Sequence, residues 1–305
     1  MQLPDVVNTF GCAMQKKYGE KVHKIAINAA FTCPNRDGTK GIGGCTFCNN
    51  ASFSPNEKNT PALHQQLYEG KSVIQRRTGA KKYLAYFQAY TNTYADINIL
   101  KTQYDAVLTS DNIVGLSVGT RPDCVPNEVL ALLATYQEQG YEIWLELGLQ
   151  SAFDKTLDRV NRGHYFAEYV DAIKRAHSFN LQVCTHLIIG LPGETAGMNM
   201  QSHHKVMELG AEGLKLHPLH IVKHTRLAID WRRGDHVTLS RDEYVDTVSS
   251  MIQHTPEEVI FHRLTATAKN DILLGPDWCN KKWSVLNAIC SILKKNGAKQ
   301  ASALH

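Results

Sequence analysis

The 305-residue chain has no long apolar run, no strong excess of charge and no low-complexity segment. No run approaches the roughly 20 apolar residues that a membrane span needs, so we expect no membrane partner. The first ten residues lack a basic stretch followed by an apolar one, and we therefore expect no signal peptide and a cytoplasmic location. The formal net charge of +4 permits an RNA or phosphate partner but does not require one.

The eight cysteines do not have the pattern of a disulfide framework. Three of them fall in one glycine-rich stretch, Cys33-Pro-Asn-Arg-Asp-Gly-Thr-Lys-Gly-Ile-Gly-Gly-Cys45-Thr-Phe-Cys48. Clustered thiolates select zinc, copper(I) or an iron–sulfur cluster. A structural zinc needs a fourth ligand, and the spacing fits zinc and a cluster about equally. The candidates for that fourth ligand are Cys12, His23 and His64, and the scattered thiols predicted to be buried are Cys124, Cys184, Cys279 and Cys290.

Strand-like apolar runs alternate with helical segments along the whole chain. Each strand is followed by a segment long enough for a helical crossover, which predicts parallel strands. We therefore predict an α/β fold, a partial (β/α)6 TIM-like barrel preceded by a helix at 5–18. We expect a single domain over 1–305, with the barrel core at about 22–264 and a C-terminal extension at about 265–305. The strands are predicted at 22–28, 82–88, 112–118, 142–150, 181–189 and 213–220, with a short addition at 259–264.

Polar residues recur where the predicted strands end. In parallel barrels the carboxyl ends of the strands carry the chemistry, so these positions predict one active site. Besides the cysteine loop they are Gln88 to Thr93, Thr120 and Arg121, Gln150, Gly190 to Glu194, and His217 to His220.

A three-cysteine loop after a first strand, with an aromatic residue before its last cysteine, resembles the radical S-adenosylmethionine (SAM) superfamily. The long first gap resembles the branch that includes the catalytic subunit of Elongator, and the whole chain resembles the bacterial YhcC-type radical SAM proteins. The distinguishing stretches are Cys-Pro-Asn-Arg-Asp-Gly at 33–38, Tyr-Phe-Gln-Ala-Tyr-Thr-Asn-Thr at 86–93, Val-Gly-Thr-Arg-Pro-Asp at 118–123, Leu-Glu-Leu-Gly-Leu-Gln at 145–150, Asn-Arg-Gly-His at 161–164, Gly-Leu-Pro-Gly-Glu at 190–194 and Lys-Leu-His-Pro-Leu-His at 215–220.

The resemblance implies that Cys33, Cys45 and Cys48 ligate a [4Fe–4S] cluster whose fourth iron binds SAM. One electron, from a reductant such as flavodoxin or ferredoxin, would cleave SAM to methionine and a 5′-deoxyadenosyl radical that abstracts hydrogen from a substrate. The protein's task would be to position the reactants and exclude water.

The resemblance also implies contacts to SAM. Phe47, Gly190 and Leu191 would lie at the adenine, Gln150 and His186 at the ribose, and Arg162 at the carboxylate, which a planar guanidinium suits. The family's glycine-rich stretch after the second strand is replaced here by Gln-Ala-Tyr-Thr at 88–91, so Tyr90 and Thr91 become the candidates for the methionine amine. Thr120 or Arg121 would replace an acidic residue after the third strand.

Each of these positions also has a purely structural interpretation. Gln150 fits the cap of a strand, Arg162 a surface helix, and the 190–193 stretch a simple turn. Lys215, His217, His220 and Arg263 lie near predicted strand ends and are candidates to face the substrate. The same four residues fit a buried hydrogen-bond network equally well.

Two functions therefore follow from the sequence. The first is a radical SAM enzyme whose substrate is tRNA or a small molecule. The alternative is a zinc-stabilised RNA-binding module without radical chemistry, although the chain lacks a dense Lys/Arg stripe with interleaved aromatic residues. Metal analysis separates the two, because one zinc and no iron per chain would favour the binding module.

Overall fold

A computed structural model describes residues 2–52 and 60–304 of the chain. Within them, the strands are β1 (Val22–Ile27), β2 (Lys82–Phe87), β3 (Ile113–Thr120), β4 (Glu142–Gln150), β5 (Gln182–Ile189), β6 (Gly213–Pro218), β7 (Ile221–Val222), β8 (Ile260–Arg263) and β9 (Leu273–Gly275). The helices are α1 (Phe10–Tyr18), α2 (Leu63–Thr78), α3 (Ile97–Leu108), α4 (Asn127–Glu138), α5 (Asp154–Arg159), α6 (Phe166–Ser178), α7 (Ala196–Glu208), α8 (Arg226–Arg233), α9 (Arg241–Gln253) and α10 (Lys282–Lys295).

Seven strands form one parallel sheet in the order β1-β2-β3-β4-β5-β6-β8. The sheet curls so strongly that its two edge strands meet. Lys24 Nζ on β1 lies 2.8 Å from His262 Nδ1 on β8. The predicted α/β partial barrel is confirmed, with β8 as a seventh strand. A separate antiparallel pair, β7 and β9, lies outside the main sheet.

Side chains fill the amino-terminal end of the barrel. Phe10 and Met14 of α1 pack there against Val22, Leu84 and Trp144, all of them buried. Since this end is filled, a ligand enters from the carboxyl ends of the strands, where parallel barrels place their chemistry.

The helices cover the outer face of the sheet and share one large apolar core with it. Val285, Ile289 and Leu293 of α10 belong to that core although they lie in the predicted C-terminal extension. The single-domain boundaries stay a prediction, and this shared core supports them. No helix among the described residues is long and apolar enough to cross a membrane.

The first helix and the last strands differ from the prediction. The predicted helix at 5–18 begins only at Phe10, because a short 3₁₀ helix at Leu3–Asp5 is followed by chain that runs alongside β8. Asn8 accepts a bond there from the Phe261 amide, and Thr9 bridges to the same strand. Helix α8 and the short strands β7 and β9 were not predicted. Strands of two and three residues are too short to show a hydrophobic period.

Candidate active site at the carboxyl ends of the strands

A cavity of about 250 Å³ opens at the carboxyl ends of the barrel strands. The three clustered cysteines face it together with residues from the ends of six strands. Its described lining includes four arginines and no Asp or Glu. The strand-end residues are Gln88, Gly119, Thr120, Gln150, His186, His217 and Arg263, and the arginines are Arg36, Arg121, Arg162 and Arg263.

The cysteine loop folds into tight turns that direct its thiols inward. The Arg36 amide donates to the Cys33 carbonyl at 2.8 Å, and the Cys48 amide donates to the Cys45 carbonyl at 3.0 Å. Gly44 has a φ of 83°, and a Cβ there would lie 2.9 Å from Arg36 Nε. A glycine is therefore required where the loop turns between its first and second cysteines.

Two asparagines tie the loop to the segment between α5 and α6. Asn35 Nδ2 donates to the Asn161 carbonyl at 2.5 Å, and Asn161 Nδ2 donates back to the Gly44 carbonyl at 2.9 Å. This reciprocal pair brings Arg162 over the loop, where its Nη1 donates to Cys45 Sγ at 3.5 Å. Arg162 is buried, so the surface-helix interpretation of this residue is wrong.

The Arg162 guanidinium is also held from the barrel side. Its Nη2 donates to the Gly148 carbonyl at 2.6 Å, and its Nε donates to His164 Nε2 at 2.9 Å. A guanidinium has five N–H donors, so donors remain for a ligand in the cavity. Arg121 differs, because it is 2% exposed and donates to Asp123 and to the carbonyls of Arg162 and Gly163. It therefore ties the end of β3 to the segment that carries Arg162.

The three clustered thiols lie farther apart than the ligands of a single zinc ion. A tetrahedral zinc holds sulfur atoms about 3.8 Å apart, from a Zn–S bond of ~2.3 Å. Among the described residues, the group of three metal-ligating side chains with all its atoms within 4.8 Å is Glu146, Cys184 and His186, and the three clustered cysteines do not meet that limit. Cluster ligands bind different irons and stand farther apart, so the donor set fits a cluster better than one zinc.

Burial and the neighbouring Cys45 raise the pKa of the Cys48 thiol to about 12. The folded chain without metal therefore keeps this thiol protonated, and a metal must displace the proton when it binds. By side-chain exposure Cys45 is buried, whereas Cys33 and Cys48 are partly exposed.

Most of the residues predicted to contact SAM line the cavity beside the thiols: Phe47, Tyr90, Thr91, Thr120, Gln150, Arg162 and His186. Tyr90 and Gln150 both have a left-handed backbone, with φ of 64° and 77°. Such strain in residues other than glycine persists where the surrounding structure enforces it, often at ligand sites. Here it turns the chain at the ends of β2 and β4 so that both residues face the cavity.

Gly190 and Leu191 do not line this cavity, which corrects their predicted place at its edge. Gly190 has a φ of 94° and turns the chain away, so that a Cβ there would touch Leu239. Leu191 is 1% exposed and belongs to an apolar cluster with Val160 and Leu219, and Phe47 packs against this cluster.

Several buried polar atoms at the cavity have no hydrogen-bond partner among the described residues. They belong to Arg36, Asn50, Thr91 and His220, all of which line the cavity. Buried polar groups in folded proteins are normally satisfied, so these atoms are matched to a polar ligand. The residues present therefore fit a cysteine-bound cluster with a polar cofactor beside it.

A buried carboxylate lies beneath the cavity. Glu146, in the middle of β4, is 0% exposed. Its Oε1 accepts from Lys24 Nζ at 2.5 Å, and its Oε2 accepts from His186 Nε2 at 2.6 Å and from Lys215 Nζ. The ring of Tyr86 lies 4.0 Å from the Lys215 ammonium. Two lysines and a histidine from three other strands thus converge on one carboxylate.

The charge states in this network follow from burial and from each other. Burial alone would raise the pKa of Glu146, but Lys215 and Lys24 outweigh it and hold the pKa well below its usual value. Burial lowers the pKa of Lys215 to about 7, against the opposing effect of Glu146. Burial and the Lys215 charge lower the pKa of His186 to about 4, so this histidine is neutral at pH 7.

Of the four residues predicted to face the substrate, His217, His220 and Arg263 line the cavity and Lys215 does not. Lys215 is 2% exposed and its ammonium points to Glu146, which corrects its predicted place. Lys215 lies inside β6, whereas the cavity opens at the carboxyl end of that strand. For Lys215 the buried-network interpretation of the sequence is the one that the structure supports.

Sequence reasoning missed Glu146, Lys24, Asn35 and Arg36. A signal for Glu146 was present, because an acid between leucines in an otherwise apolar strand must find a buried partner. The partners could not be named, since Lys24 lies 122 residues away. Asn35 and Arg36 lie inside the cysteine loop, where spacing alone drew attention only to the thiols.

Comparisons with known proteins agree with this geometry. The radical SAM superfamily matches residues 32–204, and the radical SAM C-terminal domain matches residues 211–295. Protein YhcC of Escherichia coli K12 is 49% identical over 304 residues, which cover 100% of this chain and 97% of that protein.

More distant similarity reaches the Elongator proteins. Elongator complex protein 3 of Dictyostelium discoideum is 26% identical over 154 residues, 50% of this chain and 27% of that protein. The structure of Methanocaldococcus infernus Elp3 with an N-terminal deletion superposes with a TM-score of 0.68 at 18% identity, covering 92% of this chain and 64% of that chain. The chain belongs to the radical SAM superfamily of enzymes, whose members bind a [4Fe–4S] cluster and S-adenosylmethionine.

Proposed function

We propose that this protein is a radical SAM enzyme that holds a [4Fe–4S] cluster on Cys33, Cys45 and Cys48. The observation that carries the proposal is that these thiols face one cavity at the carboxyl ends of the strands, in a family that binds this cofactor pair. When bound, the cluster and SAM supply a one-electron cleavage that yields a 5′-deoxyadenosyl radical for hydrogen abstraction from the substrate.

The chain's own residues would bind and orient the cofactor. Arg162 keeps donors free for the SAM carboxylate while it also contacts Cys45 Sγ at 3.5 Å. Phe47 packs against the apolar cluster that contains Leu191, and its ring offers a face for the adenine. Thr91, whose buried hydroxyl lacks a partner among the described residues, is placed for the methionine end, and Gln150 for the ribose.

His186 is suited to accept a hydrogen bond from the ligand. Its Nε2 is bound to Glu146 at 2.6 Å and the ring is neutral at pH 7, so Nε2 carries the proton and Nδ1 keeps a lone pair. A ribose hydroxyl is a matching donor. The buried carboxylate therefore fixes which ring nitrogen of His186 is left to accept a hydrogen bond from a ligand.

The substrate would lie against His217 and His220, which line the same cavity. tRNA and a small molecule are the two substrate classes that we propose, the first because the Elongator-like branch acts on tRNA. A flavodoxin or ferredoxin as electron donor and a cytoplasmic location stay predictions from the sequence.

The test is anaerobic reconstitution with iron and sulfide, followed by dithionite and SAM. We expect the visible absorbance of a cysteine-ligated iron–sulfur cluster and the formation of 5′-deoxyadenosine. A Cys45→Ala variant should give neither. Wild-type protein that binds one zinc and no iron, or that forms a cluster without any 5′-deoxyadenosine, would contradict the proposal.

A further inference from the structure

A second recess adjoins the cavity on the side of the C-terminal segment. It encloses about 380 Å³ and shares Gln88, Arg263 and Ala266 with the main cavity. Its described lining contains three cations and no carboxylate. The cations are Arg263, Lys269 and Lys282, and the hydroxyl residues are Ser52, Thr265 and Thr267.

Arg263 is a partly buried cation that no carboxylate balances. Within residues 2–52 and 60–304 it forms no ion pair, and its Nη1 donates only a long bond, 3.5 Å, to His217 Nε2. A guanidinium cannot relieve this situation by losing its proton. An unpaired charge in a partly buried site costs free energy, and an anion that binds there removes that cost.

The surroundings add positive charge. Lys282, in the first turn of α10, likewise forms no ion pair with a described residue. Burial, followed by the charges of Arg263 and Arg77, lowers its pKa, which shows that these cations lie close enough to repel one another. Glu146, the buried carboxylate of the barrel interior, is already engaged by Lys24 and Lys215.

We propose that this anion recess, formed by Arg263, Lys282 and Thr267, binds a phosphate group of the substrate. A phosphate carries up to two negative charges and several acceptor oxygens, which match two uncompensated cations and the hydroxyl donors beside them. A carboxylate offers one charge and fits less well. The recess opens into the cavity beside His217, so a phosphate held there places the adjoining part of the substrate in the cavity.

This inference deepens the proposed function, since it names the class of substrate for the same site. The phosphate could belong to a phosphomonoester or to the diester backbone of RNA. The chemistry of recognition is shared, and the probes separate the two sources.

The experiment measures phosphate binding to the reconstituted full chain in the presence of excess SAM, which occupies the open iron. The probes are inorganic phosphate, a nucleoside 5′-monophosphate, a short RNA oligonucleotide and acetate, titrated by calorimetry and by ³¹P NMR. We expect Kd for inorganic phosphate to rise about tenfold or more in Arg263→Gln and in Lys282→Gln, as for loss of a charge-assisted contact.

Lys295→Gln is the matched control, since Lys295 lies on the same helix α10, is exposed and does not line the recess. It should leave Kd unchanged, and Arg263→Lys should retain part of the affinity. Should Arg263→Gln disturb folding, the exposed Lys282 variant still tests the recess. Tighter Arg263-dependent binding of the monophosphate identifies a monoester, and tighter binding of the oligonucleotide identifies RNA.

Equal phosphate affinity in wild type, R263Q and K282Q would overturn the inference, as would acetate binding as tightly as phosphate. Absence of Arg263-dependent binding for every phosphate probe would do the same. Phosphate binding and 5′-deoxyadenosine formation are separate measurements on the wild-type protein, so failure of the recess and failure of the radical chemistry are told apart.

Discussion

Replacing Glu146 by Gln should destabilise the barrel more than any exposed charge change of the same kind. The substitution keeps the size of the side chain but removes the negative charge that Lys24 and Lys215 share. Both ammonium groups stay in the interior, where an uncompensated charge is strongly unfavourable. Removing one partner of a buried ion pair costs about 3–5 kcal/mol.

The expected change in melting temperature follows from the size of the chain. An unfolding entropy of ~2.1 cal/mol/K per residue gives about 0.64 kcal/mol/K for 305 residues. Division of about 3–5 kcal/mol by this value predicts a fall in Tm of about 5–8 °C. The side chain of Glu146 is 0% exposed, so solvent screening does not reduce the estimate.

The assay is calorimetry of wild type and variants at one state of cluster loading, because bound cofactors shift Tm. Asp171→Asn is the control: it removes a charge from an i,i+4 pair with Arg175 in which the aspartate is 63% exposed. Exposed pairs contribute about 0–1 kcal/mol, so this variant should melt within ~2 °C of wild type. A Glu146→Gln variant that melts as close to wild type as Asp171→Asn does would refute the reasoning.

The pH dependence gives a second check on the same residue. The pKa of Glu146 is depressed in the folded chain, so its contribution is present above about pH 4.5 and is lost as pH falls through the folded pKa. The difference in Tm between wild type and Glu146→Gln should therefore shrink on acidification. A difference that stays constant down to the acid unfolding transition would contradict the assignment.

Three further outcomes are expected. Cys45→Ala should lose its iron in metal analysis, whereas Cys290→Ala on α10 should retain it, and equal loss would refute the ligand assignment. Burial lowers the pKa of Lys215 to about 7, so between about pH 7 and 10 the unfolded chain binds this proton more tightly than the folded chain does, and stability rises with pH. Urea titrations across this range should show a smaller rise in stability for Lys215→Met than for wild type. An equal rise in both proteins would contradict this. A Cβ on Gly115 would overlap the carbonyl oxygen of Glu142, so Gly115→Ala should lower the midpoint of urea unfolding. Gly197→Ala is the control, because Gly197 lies in the open first turn of α7, and it should leave the midpoint unchanged. A wild-type midpoint for Gly115→Ala would contradict this reasoning.

Much of the fold could be predicted because local pattern and global structure agree. The apolar runs that became β1 to β6 are bounded by turns and separated by segments of helical length, and that alternation leaves few arrangements other than a parallel barrel. The cysteine loop could be recognised as a ligand site for the same reason: its residues are adjacent in sequence.

The long-range contacts could not be predicted. Glu146 contacts His186 and Lys215, which are 40 and 69 residues away, and these pairs depend on the register between strands. A shift of one residue turns a side chain to the opposite face of the sheet. Register shifts occur at β2–β3, β4–β5 and β6–β8, and nothing in the local sequence marks them.

The misplaced residues have a related cause. Lys215 and His217 both point inward from β6, but the lower one meets the buried carboxylate and the upper one meets the cavity. Depth along a strand decided their surroundings, whereas the sequence showed only that both lay near its end. The resemblance placed Leu191 at the adenine, yet the turn at Gly190 carries it into the apolar cluster against which Phe47 packs.

The cysteine loop is also held by residues that a ribosome makes much later. Asn49 Nδ2 donates to the Lys223 carbonyl at 2.8 Å across 174 residues, and the Thr46 carbonyl accepts from the Leu227 amide at 2.9 Å. At ~5–20 residues per second, synthesis of that interval takes about 9–35 s. During this time the three thiols have left the ribosome without the contacts that hold their loop. Loading of a cluster into the folded loop therefore follows completion of the barrel, and oxidation of the thiols before that point would block it.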